Sequence, residues 1–282
     1  MSSRKLTVEI INVGNELLDG RTLNTNLQWL CGRLSALGFV VKRAVIVRDD
    51  VVDISSSVRE AMRRKPRWLI ISGGLGPTHD DKTLEGVAKA VGKRLRVSDE
   101  ALELIREHYE RMVEEGLIER VELTSARIKM ATIPQGARPL RNNVGTAPGV
   151  LIRKAGVKIV CLPGVPSELQ DIFNNEIYPL LLKESRGRKF ITKRITVRGV
   201  LESSLSPLID EAMRRFRGVY IKSNPRGFEG GESVIDLDFI IGVSGDDKRV
   251  EQLISEAESF LLERLQHGGK TNEGDQPQRH GK

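Results

Sequence analysis

The strongest constraint on the fold is a rhythm in the first half of the chain, where short β-branched apolar runs alternate with segments of helical period. "LTVEIINVG" (Leu6 to Gly14) is followed by a stretch in which Leu23, Leu27, Leu30, Leu34 and Leu37 recur at helical spacing before Gly38 stops it. "VVKRAVIVRDD" reads as a second strand. "VDISSSVREAMRR" reads as a helix, with Asp53 as candidate N-cap and Ile54, Val58, Ala61 and Met62 on one side. "WLIISGG" is a third strand, apolar throughout as a strand buried on both faces must be. Strands separated by helices of this length make βαβ units and a parallel sheet.

A helical insertion opens on Ser98 and closes before Gly116, and a second helix is read around "ERVELTSARIKMA". "GVLIRK" and "KIVCLPG" are two further strands, and a helical segment ends this part near Ser185. From Phe190 the period changes. "FITKRITVRG" alternates strictly, and a βαββα pattern follows. Asp236 and Asp238 alternate with Ile235, Leu237 and Phe239, so they are placed to pair with Arg194 and Arg198 if the two strands are neighbours. The expected fold is thus α/β: a three-layer parallel-sheet domain over 1–187, a smaller α+β domain over 188–266, and a polar, Gly-rich disordered tail over 267–282. A chain of 282 residues supports two such cores.

Hydrophobic residues make up 39% of the chain, and no apolar run approaches the ~20 residues that span a bilayer. The start, "MSSRKLTVEIINVG", has no h-region and no small-residue cleavage site. Cys31 and Cys161 lie in apolar segments without metal-type spacing, as unpaired thiols of a reducing compartment do. The expectation is a cytoplasmic protein with no membrane association. The formal charge of +7 is local, with 12 Lys/Arg against 4 Asp/Glu between Lys183 and Arg226. That surplus points to an anionic partner or phosphate-bearing ligand, or simply to a solvated basic face.

The third strand runs into "SGGLGPTHDDKT". Glycines after a strand and a helix starting near Asp81 gather amides and a positive helix end at one spot, which binds anions. Gly73, Gly74 and Gly76 match neither the P-loop, which needs Gly-Lys-Ser/Thr, nor G-x-G-x-x-G. Thr78 adds a hydroxyl, and Thr83 is placed to bond either backbone or ligand. "NVGNELLDG", "NVGTAPG" and "LPGVPSEL" are companion loops, and loops leaving the carboxyl ends of parallel strands converge on one crevice. Their shared destination reads as a phosphate or pyrophosphate. Glu16, Asp49, Asp80, Asp81 and Glu168 sit on or beside these loops. Carboxylates tolerate a phosphate when a hard divalent cation lies between them. The plainer alternatives are a helix cap for Asp80 or Asp81, a turn for Asp49, and first-turn acids for Glu16 and Glu168.

"GGLGPTHDDKT", "VGNELLDGRTLNTN", "IPQGARPLRNNVGTAPGV" and "LPGVPSEL" resemble, in order, the N-terminal region of the CinA family, kin to the molybdopterin-binding domain of cofactor-biosynthesis proteins. The resemblance runs from about residue 6 to residue 265. It implies a molybdopterin-binding-like α/β domain, a small KH-type domain and a homodimer. It also implies metal-dependent pyrophosphatase activity (Mg, Mn or Co) on ADP-ribose or FAD, or else binding of a nucleotide or pterin phosphate without turnover. By motif, Gly73, Gly74, Gly76, Thr78, Thr83, Asn24, Asn143, Gly145, Thr146 and Gly164 are carried over for phosphate binding. Asp81, Asp49 and Glu16 are carried over for catalysis, and Asp80, Asp81 and Glu168 for metal. Longer members add an amidohydrolase domain, so no nicotinamide-nucleotide deamidase activity is expected. Nucleic-acid binding through the basic domain is the weakest alternative. Its "GFEG" (Gly227 to Gly230) lies between strands, whereas RNA-clamping loops of that spelling join helices.

Overall fold

The structure, a computed structural model, describes residues 6–185, 188–244 and 248–268. The tail expected from 267 lies, from 269 onward, outside the described residues. The chain divides into two compact units, Met1–Ser185 and Arg186–Lys282. Among the described residues no helix is long and apolar enough to cross a membrane.

The first unit is built on a six-stranded sheet. Its strands are β1 (Thr7–Val13), β2 (Val40–Val47), β3 (Trp68–Ser72), β6 (Arg138–Leu140), β7 (Gly149–Lys154) and β8 (Val157–Leu162), in the order β2-β1-β3-β8-β7-β6. The first four in that order run parallel. The β8-β7-β6 edge is antiparallel, so the sheet is mixed. The reason is connection length. Only Ala155 and Gly156 separate β7 from β8, and a parallel pair needs a crossover of a dozen residues or more. A short side sheet pairs β4 (Leu95–Val97) with β5 (Thr132–Pro134).

Helices cover both faces. Leu69 and Ile71 of β3 face one core, with Ile54 and Val58 of α3 (Val51–Arg64), Val87 of α4 (Thr83–Val91) and Ile105 of α5 (Asp99–Glu114). Trp68 and Ile70 face the other, with Leu30 and Leu34 of α2 (Thr25–Ala36) and Leu169 of α7 (Pro166–Ile172). Every residue of β3 is buried, which is why its sequence shows no alternation. A π-helical turn, Phe173–Ile177, leads from α7 into α8 (Tyr178–Ser185). The short elements are α1 (Asn15–Leu18) and α6 (Ser125–Met130). The helix expected around "ERVELTSARIKMA" is only α6, because Thr124 caps it by accepting from the Arg127 amide (3.4 Å).

Asp50, not Asp53, caps α3. Asp50 is extended and its carboxylate accepts from the amides of Val52 (2.7 Å) and Asp53 (3.1 Å). Buried Glu9 of β1 faces the same helix and is gripped by the Arg64 guanidinium through three contacts of 2.6–3.1 Å.

The second unit is β9 (Arg188–Arg198), α9 (Glu202–Arg215), β10 (Val219–Glu229), β11 (Glu232–Ser244) and α10 (Lys248–Gly268), with antiparallel order β10-β11-β9. Asp238 lies opposite Arg194 and receives it bidentately at 2.6 and 2.9 Å. Arg198 lies opposite Val234 and bonds Glu229 instead of Asp236, which accepts from the Thr196 hydroxyl (2.8 Å) and has Arg194 at 3.9 Å. Part of the local basic surplus is therefore neutralised within the unit. Gly230 and Gly231, both with positive φ, form the two-residue tip joining β10 and β11. The GxxG spelling is thus the end of a hairpin.

Candidate active site

Loops leaving β1, β2, β3 and β8 meet at one end of the sheet around a cleft of about 460 Å³. Its lining includes Glu16, Asp49, Gly73, Gly74, Gly76, Thr78, Asp80, Asp81, Thr146, Gly164 and Glu168. Eleven residues singled out from sequence, ten from the four motifs and Asp49 from the loop after β2, are thus brought together.

Four others are placed differently. Thr83 is fully buried, and its hydroxyl donates to the Gly73 carbonyl (2.8 Å), which holds the loop rather than lining the cleft. Gly145 packs on Glu168, where a Cβ would lie 2.2 Å from the carboxylate carbon; the glycine makes room for the acid. Asn24 caps α2, accepting from the Leu27 amide (3.0 Å), and lines a smaller adjoining chamber. Asn143 faces away, with its backbone and side-chain amides on Asp171 (2.8–3.3 Å).

The preceding residue, Asn142, takes the inward role that sequence reading gave to Asn143. It is buried, its Nδ2 donates to Glu168 (2.7 Å) and to the Ala147 carbonyl (2.9 Å), and its Oδ1 accepts from the amides of Val144 and Gly145. A single amide thus shapes the loop and orients the acid. Burial pushes the Glu168 pKa up, and the Asn142 bond partly offsets this.

Asp49 accepts from the Asn15 amide (2.8 Å), tying the loop after β2 to α1. Burial raises its pKa, the Asn15 bond opposes this, and the charges of Glu16, Asp80 and Asp81 raise it further. The carboxylates of three loops therefore act on one another.

In the glycine loop, Asp81 accepts from the Thr78 amide (2.9 Å) and lies 2.5 Å from the Thr78 hydroxyl oxygen. Asp80 lies against the same hydroxyl. That contact lowers the Asp80 pKa most, with smaller help from its own backbone amide, His79 and Lys129, against the opposing effect of burial. Lys129 of α6 bonds the Thr78 carbonyl and brings a positive charge that no local motif announced. Tyr109 of α5 also reaches the cleft, with the Arg127 guanidinium 3.5 Å from its ring centroid.

Among the described residues no three His, Cys, Asp or Glu side chains form a ready metal cage. Magnesium-type sites do not require one, since they combine one or two carboxylates with water and substrate phosphate oxygens. Thr78, Asp80 and Asp81 supply oxygen donors alone, crowded around a single hydroxyl proton, and that donor set fits a hard cation.

With a parallel core, an antiparallel edge and a glycine-loop cleft at the strand ends, the first unit is a molybdopterin-binding-like α/β domain. The family model described as "Probable molybdopterin binding domain" matches residues 9–183. The chain is 43% identical over 265 residues to Protein PAE0875 of Pyrobaculum aerophilum, covering 93% of this chain and 96% of that one. It is 47% identical over 220 residues to Protein PF0476 of Pyrococcus furiosus, covering 78% and 85%. Among solved structures it is similar to the protein CinA with unknown function from Thermoplasma acidophilum. The two share 40% identity with a TM-score of 0.55 over 61% of this chain and 96% of that chain. The chain belongs to the CinA family of molybdopterin-binding-domain proteins.

Proposed function

We propose that the chain is a divalent-metal-dependent pyrophosphatase that hydrolyses a nucleoside diphosphate-linked substrate such as ADP-ribose. The observation that carries the proposal is the meeting of Gly73, Gly74 and Gly76 with Glu16, Asp49, Asp80, Asp81 and Glu168 around one cleft. Backbone amides of the glycine loop would hold the diphosphate. Of the three acids expected to hold a cation of the Mg, Mn or Co type, Asp80 and Asp81, which share the Thr78 hydroxyl, are the pair that would do so with water and phosphate oxygens. Glu168 lines the same cleft without forming a three-acid group with them. When bound, such an ion polarises phosphorus and offsets the charge that develops on the phosphoryl oxygens.

Asp49, with its raised pKa, is the group assigned to take the proton of the attacking water, and Glu16 flanks it at the cleft wall. The water oxygen bonds to one phosphorus as the bridging P–O bond breaks, so ADP-ribose would yield AMP and ribose 5-phosphate. Incubation with Mg²⁺, Mn²⁺ or Co²⁺ against ADP-ribose, FAD, NAD and sugar nucleotides should release AMP from at least one of them. Asp81→Asn should abolish that release while staying folded; full turnover in this variant would refute the assignment.

A second reading is a pterin- or nucleotide-binding protein of cofactor metabolism without hydrolysis. It is supported by the match to a molybdopterin-binding domain and by a cavity of about 310 Å³ beside the glycine loop. Leu75, Leu84, Leu95 and Ile128 give that cavity apolar walls suited to a flat ring. Stoichiometric pterin binding with no product from any dinucleotide would decide for this reading.

A further inference from the structure

The cleft is lined by Glu16, Asp49, Asp80, Asp81 and Glu168, and by no lysine, arginine or histidine. The apolar cavity beside it shares Gly74, Leu75, Gly76 and Asp81 with the cleft and carries one cation, Lys129. Among the described residues that line either space, Lys129 is the single fixed positive charge. It stands where the two spaces meet, because its ammonium bonds the carbonyl of Thr78 in the cleft wall. A ligand with its ring between the apolar walls and its phosphates in the cleft has to pass it.

The lysine is held in place from its own segment. Met130 and Ala131, which follow it, are buried in the core, and Thr132 beyond them pairs with Val97 in the side sheet. The Thr132 hydroxyl ties back to the Ile128 carbonyl (2.8 Å), which fixes the end of α6. Lys129 itself is half-buried. The neighbouring cation of α6 is turned elsewhere, since the Arg127 guanidinium stacks on the Tyr109 ring and bonds the Glu122 carbonyl.

The Thr78 carbonyl does not require a charge. It already accepts from the Asp81 amide (3.3 Å), and a neutral donor would serve as its second partner. An ammonium has three donors, of which the Thr78 bond takes one. Asp80 draws on the charge only in a minor way, because the Thr78 hydroxyl and its own backbone amide do more to keep it ionised. A phosphate at this junction would be repelled by Asp80 and Asp81, and Lys129 is the lining group able to offset that repulsion with a charge-assisted hydrogen bond.

We propose that Lys129 is a phosphate-binding residue that grips the phosphate next to the ring, so that the pocket selects a nucleotide over its nucleoside. The inference rests on the reading of the cleft as a diphosphate site and adds the group that meets the ring-proximal phosphate.

The test is calorimetric titration with AMP and with adenosine in the presence of Mg²⁺. Lys129→Gln keeps a donor for the Thr78 carbonyl and removes the charge. It should lower the AMP-to-adenosine affinity ratio about tenfold, the lower end for a hydrogen bond to a charged group, with adenosine binding unchanged. Lys129→Arg keeps the charge and should restore most of the ratio. A measurement on the native protein needs no variant to fold: AMP, but not adenosine, should protect Lys129 from acetylation by acetic anhydride, read by peptide mass spectrometry. An unchanged ratio in Lys129→Gln, equal protection by the two probes, or binding of neither by the native protein overturns the assignment. Release of AMP from ADP-ribose by the native protein is scored separately. If turnover persists while the Lys129 assignment fails, the pyrophosphatase reading stands; if turnover is absent, that reading falls whatever Lys129 does.

Discussion

Replacing Gly73 with alanine separates what the fold demands of the glycine loop from what a ligand demands. Gly73 has φ of 101°, and a Cβ there would lie 2.1 Å from the carbonyl oxygen of Val13. Val13 ends β1, the buried central neighbour of β3, so its backbone has little room to withdraw. The left-handed conformation alone costs an alanine roughly 1–3 kcal/mol. Overlap with a packed strand adds about 1–3 kcal/mol more. The control is Gly136→Ala, where φ is 80° but nothing lies within 4 Å of the added carbon. Both tryptophans, Trp29 and Trp68, belong to the first unit, so their fluorescence during urea unfolding reports on that unit alone. The expected result is that Gly73→Ala loses roughly 1–3 kcal/mol more than Gly136→Ala. Equal losses in the two variants would show that crowding by Val13 is not what requires glycine.

Asp50→Ala should cost about 1 kcal/mol in the same assay, and Asp53→Ala much less, because only Asp50 caps α3. Arg64→Met should cost about 2 kcal/mol by leaving the buried Glu9 carboxylate without its guanidinium, and an unchanged midpoint would count against a structural role for the pair. In the second unit, Arg194 first, then Asn224 and Lys222, hold the Asp238 carboxyl below its usual range. Its folded pKa is depressed, so the stabilisation is present above the unfolded value of about 3.9 and is lost as pH falls through the folded one. Arg194→Met should therefore flatten the acid-side loss of stability followed by circular dichroism, and an unaltered acid transition would refute the linkage.

The parts of this fold that are local in sequence could be read from it, and the parts set by packing could not. β3 was legible because a strand buried on both faces is apolar at every position. The antiparallel edge was also written in the chain, as two residues between "GVLIRK" and "VKIVCL", but strand–helix alternation outweighed it. Arg194 with Asp238 followed from strand alternation, whereas Arg198 required the register, which places Val234 opposite it. Asn142 and Asn143 are adjacent and chemically alike, so only burial distinguishes the one that orients Glu168. Lys129 reaches Thr78 across 51 positions, a contact without any local periodicity.

The glycines and the acids of the cleft differ in how far folding accounts for them. Gly73 is required by the Val13 backbone and so needs no ligand to explain it, whereas Gly145 makes room for Glu168, itself an acid of the cleft. Asp81 is also explained, since it satisfies the Thr78 amide and hydroxyl by itself. Asp80 is not. It brings a second negative charge to a hydroxyl with one proton to donate, beside an acid that already takes it. The Thr78 hydroxyl, its own backbone amide, His79 and Lys129 do hold the Asp80 pKa down, so the fold accommodates its charge, but they leave two carboxylates on one hydroxyl proton. Sites where local structure works against stability are where function is to be sought. On the proposed reading a cation held by these two acids would relieve that crowding, and Asp80 is the residue for which the proposed metal accounts best.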